Sequence, residues 1–80
     1  MDSVEALRAV ILELCEEKQI TINKLASSAG LTQSTLDSFV RGKSGNPRMQ
    51  TVEKIAQGFD ISLNDLYSRI IKKMSDERGQ

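Results

Sequence analysis

Residues 24–40 read KLASSAGLTQSTLDSFV, two short amphipathic runs separated by Ala-Gly-Leu. In the first run Leu25, Ala26 and Ala29 mark one face, and Gly30 offers the positive φ at which a helix of L residues commonly stops. The second run restarts at once: Thr32 stands as N-cap, and Leu31, Leu36, Phe39 and Val40 are its apolar positions. Two helices joined by three residues must cross steeply. The small Ala26 permits close approach, and Leu36 and Phe39 lock the second helix against the first. What remains is an outer face of Thr32, Gln33, Ser34, Asp37, Ser38 and Arg41, whose Thr, Gln and Ser side chains neither fill a core nor solubilise as Lys or Glu would.

The flanks continue the helical pattern. Residues 2–18 place Val4, Leu7, Val10, Ile11, Leu14 and Cys15 at three- and four-residue spacings, an amphipathic first helix. Thr21 caps the second helix. After Val40 the stretch RGKSGNPRM reads as a loop, because it holds two glycines and because the residue before a proline avoids the helical region. Val52, Ile55, Ala56 and Phe59 predict a fourth helix over Met49 to Gly58. Ser62 caps a fifth, with Leu63, Leu66, Ile70 and Ile71 on the inside. Nothing reads as strand, so the expectation is an all-α, five-helix fold: one domain over residues 1–74 and a polar, fraying tail over 75–80.

Eighty residues leave room for one small core and none for a cleft between domains. No apolar run approaches the roughly 18 residues of a membrane span and no leader pattern opens the chain, so a cytoplasmic protein is expected. With no His and a single Cys there is neither a disulfide nor a usual metal-ligand cluster, and Cys15 reads as a small buried hydrophobe. Gly42-Lys43-Ser44 has the ending of a phosphate-binding loop, but the first glycine of that motif would fall on Asp37 and no strand precedes it. The serines lack a His to activate them. Neither an enzyme nor a cofactor is expected. Formal charge is zero, yet between residues 18 and 48 Lys18, Lys24, Arg41, Lys43 and Arg48 meet only Asp37, leaving that segment at +4 and the remainder at −4. Such asymmetry suits one surface to phosphates while Asp2, Glu5, Glu13, Glu16 and Glu17 lie elsewhere.

Taken together, the second and third helices have the helix-turn-helix pattern. Short polar side chains on a protruding helix approach base edges in a major groove where long acidic ones would be repelled. The run from Ile20 to Leu66, about 47 of the 80 residues, resembles the phage repressor and Cro type of helix-turn-helix domain, the XRE family. It carries Leu25-Ala26 with Gly30 four residues on, Thr32-Gln33 opening the third helix, Gly42-Lys43 and Pro47 after it, and later Ile55-Ala56, Phe59-Asp60-Ile61-Ser62 and Leu66, in order and spacing.

The resemblance implies a five-helix lambda-repressor-like domain that binds double-stranded DNA, usually as a dimer on a two-fold symmetric operator. Its function would be sequence-specific, repressor-like transcriptional regulation, with the helix from Thr32 to Val40 in the major groove. By position, Gln33, Ser34 and Ser38 match base-facing residues. Thr32, Thr35, Arg41, Lys43, Asn46 and Arg48 match the phosphate-contacting rim. Ile22 departs from the pattern, since relatives often have Gln there to brace the recognition-helix Gln. Asp37 reads as solvated or paired with Arg41 four residues on. A homodimer through Leu66, Tyr67, Ile70 and Met74 fits the apolar residues of the fifth helix, which otherwise close the monomer's own core. The competing function is a protein-interaction module such as the antitoxin of a toxin–antitoxin pair, with a protein partner foremost.

Overall fold

The computed structural model describes residues 1–43 and 45–78. Five helices run in order: α1 (Ser3–Lys18), α2 (Ile22–Ala29), α3 (Gln33–Val40), α4 (Met49–Gly58) and α5 (Leu63–Arg78). The expected helices form, and their starts follow from local chemistry. Asp2 and Glu5 form a reciprocal capping box on α1: the Glu5 N–H donates to the Asp2 carboxylate at 2.8 Å and the Asp2 N–H to the Glu5 carboxylate at 3.2 Å. Thr21 accepts from the Lys24 N–H at 3.0 Å to open α2, and Ser62 accepts from the Asp65 N–H at 2.9 Å to open α5.

Two of the helix ends are less regular than the sequence suggests. Gly30 closes α2 at φ 72°, as its lack of a Cβ allows, but Gln19 after α1 and Asp60 after α4 also adopt positive φ (57° and 61°). The tail expectation needs correcting. α5 does not stop before Ser75 but continues to Arg78; of the expected tail, Gly79 and Gln80 lie outside the described residues, as does Ser44 of the Gly-Lys-Ser stretch.

The core takes one face from every helix: Leu7, Val10, Ile11 and Leu14 from α1, Leu25 and Ala26 from α2, Leu36 and Phe39 from α3, Val52, Ile55 and Ala56 from α4, and Leu66 and Ile70 from α5. Among the described residues no polar or charged residue is buried. Cys15 is buried too, and desolvation pushes its thiol pKa up, so it stays protonated and acts as a small apolar residue. Ile22 packs against the core from α2. α2 lies closest to α4, and the contact is tight at Gly58: a Cβ built there would sit 2.9 Å from the Ala29 Cβ and 3.0 Å from a Leu25 methyl. α2 is therefore seated on α4 through a position that admits no side chain.

α5 shows a further difference. Ile71, expected inside, is 63% exposed, while Leu66 and Ile70 are 0% and 5% exposed. The fifth helix closes the monomer with one stripe and carries Ile71 outward, because residues one apart on a helix point about 100° apart.

Candidate nucleic-acid interface

α3 is eight residues long, too short to be stable alone, so its neighbours must hold it. At its start the Thr32 hydroxyl accepts the Thr35 N–H at 3.2 Å and donates to Thr35 Oγ1 at 2.7 Å. The Thr32 hydroxyl thus caps the helix while the Thr35 hydroxyl stays exposed at its edge. At its end α3 is held by a residue that sequence reasoning missed. Arg8 of α1 donates through Nε to the Phe39 carbonyl at 2.7 Å and lays its guanidinium 4.9 Å from the Phe39 ring centroid. That carbonyl also accepts the Gly42 N–H at 3.0 Å, so the Arg8 cation adds a second, charged donor at the helix C-terminus and complements the helix dipole. The contact joins residues 31 apart in sequence, and no local pattern announces it.

The face that α3 turns outward follows from 100° per residue. Leu36 and Phe39 are buried and Val40 is half-buried against the core; Ser34, Asp37, Ser38 and Arg41 lie opposite, with Gln33 at the N-terminal tip. Gln33 and Ser34 are exposed, while Asp37 and Ser38 are half-buried. Asp37 pairs with Arg41 across one turn, Arg41 Nε to Asp37 Oδ2 at 2.9 Å, the expected i, i+4 arrangement. Beyond Arg41 the chain turns at Gly42, with φ 79°, into an exposed loop carrying Lys43 and Asn46. Arg48 precedes α4 but makes no side-chain cap, leaving its guanidinium without a local task. Thr35, Asn46 and Arg48 line one groove between α3 and this loop, with Leu31, Phe39 and Pro47 at its base. Thus three of the six rim residues converge, and Lys43 is exposed on the same loop.

The dimer expectation is corrected in part. Leu66 is wholly spent in the core, with no surface for a partner, while Ile70, 5% exposed, belongs to the core and borders the groove described next. Tyr67 and Met74 are half-buried beside the exposed Ile71, and together with Val4 and Leu7 they line an apolar groove between α1 and α5 that reaches Asn46 and Pro47. The Tyr67 hydroxyl donates to Met49 Sδ at 3.2 Å and so ties this groove to the start of α4.

Charge is arranged unevenly. On the far side α1 and α5 are laced together: Lys73 pairs with Glu13, and Arg69 lies 3.8 Å from Glu17 and 3.4 Å from Asp65. Lys43 and Arg48 make no ion pair among the described residues. No helix among the described residues is long and apolar enough to cross a membrane.

Comparison with known proteins agrees with this geometry. A family described as the Cro/C1-type HTH DNA-binding domain matches residues 10–72. The chain is 34% identical over 67 residues to the SPbeta prophage-derived uncharacterized HTH-type transcriptional regulator YopS of Bacillus subtilis (strain 168), an alignment covering 84% of this chain and 90% of that protein. It is also 34% identical over 62 residues to the HTH-type transcriptional repressor RghR of the same organism, covering 78% of this chain and 43% of that longer protein. No solved structure matches it. The chain belongs to the Cro/C1-type helix-turn-helix DNA-binding family.

Proposed function

We propose that this DNA-binding transcriptional regulator acts as a repressor-like homodimer on a two-fold symmetric operator, with α3 of each protomer in the major groove. The observation that carries the reading is the division of α3 itself: one stripe sunk in the core, and opposite it a row of short polar side chains flanked by unpaired cations. Gln33, Ser34 and Ser38 meet base edges. Gln suits adenine through a bidentate pair, and a serine hydroxyl, both donor and acceptor, suits several bases. Thr32, through its backbone N–H, and Thr35, through its exposed hydroxyl, meet the phosphates on one side; Arg41, Lys43, Asn46 and Arg48 meet those on the other. Such contacts set the register of the helix and make affinity depend on salt.

The second protomer docks on the exposed part of α5, around Tyr67, Ile71 and Met74. Support comes from the apolar groove there and from its border with Asn46 and Pro47, which also border the groove beside α3. Association at this edge sets two recognition helices side by side, as half-sites about 10 base pairs apart require. Selection of bound sequences from a random duplex pool, at low and then moderate salt, tests the proposal. The expected product is a palindromic motif; a folded protein that enriches nothing at either salt defeats it.

A further inference from the structure

Asp37 lies on the outward face of α3, one turn beyond Gln33 and directly beside Ser38, yet the proposed contacts leave it without a task. A carboxylate on a groove-facing helix is unusual in electrostatic terms, because duplex DNA presents a dense array of negative charge. Here part of that charge is offset. Arg41 Nε sits 2.9 Å from Oδ2, while Oδ1 has no partner among the described residues. The side chain of Asp37 is 44% exposed, so this second oxygen is open to an incoming donor.

The major groove offers few groups that such an oxygen can accept from. Guanine shows two acceptors and thymine one acceptor and a methyl; only cytosine N4 and adenine N6 donate. These two differ in what lies next to the amino group. Adenine N6 has the N7 acceptor beside it, which opposes a carboxylate and favours an amide with a donor of its own. Cytosine N4 is flanked by the ring C5–H, so a carboxylate meets no opposing lone pair.

We propose that Asp37 is a specificity residue that accepts a hydrogen bond from cytosine N4 at one position in each half-site and rejects thymine and guanine there. The Asp37–Arg41 pair makes this tolerable, since Arg41 holds the carboxylate in place and lowers its repulsion from the backbone while its remaining Nη groups reach a phosphate. The inference rests on the proposal that α3 enters the major groove. It adds one letter to the operator and assigns it to a side chain.

The experiment measures binding of the full chain to its selected duplex and to a set with every base pair of the half-site changed in turn, for the unaltered protein and for Asp37→Ala and Asp37→Asn. At one position the unaltered protein should prefer cytosine over thymine and guanine by about tenfold or more, and replacing that cytosine by 2-pyrimidinone, which lacks the N4 amino group, should cost a similar factor. Asp37→Ala should bring that discrimination below about threefold, show no further loss with 2-pyrimidinone, and bind unrelated DNA at least as tightly as before, because a negative charge has been removed. Asp37→Asn, which carries a donor as well as an acceptor, should shift the preference toward adenine. Unchanged base preferences in Asp37→Ala, with the motif intact, overturn the inference and leave the major-groove reading standing. Absence of any motif for the unaltered protein overturns both.

Discussion

α3 and α5 are both amphipathic, both close the core with one stripe, and differ in what they do with the other. On α5 two cations turn back to the protein: Lys73 reaches Glu13 of α1, and Arg69 reaches toward Glu17 of α1 and Asp65 of its own helix, so cation and carboxylate neutralise each other. On α3 the outward residues are short, and among the described residues Asp37–Arg41 is their one ion pair. A zero net charge therefore conceals two electrostatic regimes, one closed on itself and one left open. Total charge predicts neither; the pairing does.

The comparison is broken most severely inside α5. Leu66→Ala should cost about 2–5 kcal/mol of stability through the cavity it leaves, read as a lowered denaturant midpoint. The exposed neighbour Ile71→Ala should leave monomer stability within about 0.5 kcal/mol and act only on association, read by sedimentation. Equal losses of stability from both would mean that the two faces of α5 have been misassigned. On α3 the expected effects fall on binding. Gln33→Ala should cost about 1–3 kcal/mol on the preferred site and relax specificity there, whereas Arg48→Ala should weaken all sequences alike and flatten the salt dependence by about one. Titrations on specific and scrambled duplexes at several salt concentrations separate these two behaviours.

A smaller loss belongs to the turn that presents α3. Gly30→Val should destabilise by about 1–2 kcal/mol, because a residue with a Cβ is strained at positive φ, although open space surrounds the position. Thermal melting shows it, and a melt like the parent's would refute the strain argument. The least effect is expected on the closed side. Glu13→Gln removes the partner of a largely solvated pair and should cost at most about 1 kcal/mol, with DNA affinity on the selected site unchanged. A large change in that affinity would show that the two faces communicate.

Much of this architecture was legible in the residues because it rests on local rules. The caps Thr21, Thr32 and Ser62, the glycine stop at Gly30 and the span of α4 follow from side chains reaching a few residues along the chain. The outward placement of Gln33 and Ser34 follows from the apolar spacing of Leu36 and Phe39. What could not be read depends on distant partners. The hold of Arg8 on Phe39, the absence of room at Gly58 and the outward turn of Ile71 arise only when helices meet, and periodicity is silent about where an apolar stripe ends when its neighbours are apolar too. Gln19 and Asp60 adopt left-handed conformations that Asp tolerates better than Gln, and both close their helices with backbone bonds, Ile20 N–H to the Cys15 carbonyl and Ile61 N–H to the Ala56 carbonyl. The base and phosphate roles of the α3 residues rest on resemblance and geometry together, and the titrations above are their test.

The grip of Arg8 on the last turn of α3 has a consequence for anyone who would borrow this helix. Eight residues cannot sustain helical order in water, and here the closing turn is also gripped from another helix. A synthetic peptide of residues 31–43 should therefore give the circular dichroism of a coil. Grafting the eight letters onto a foreign scaffold should transfer recognition only if a guanidinium is installed at the matching place beneath them.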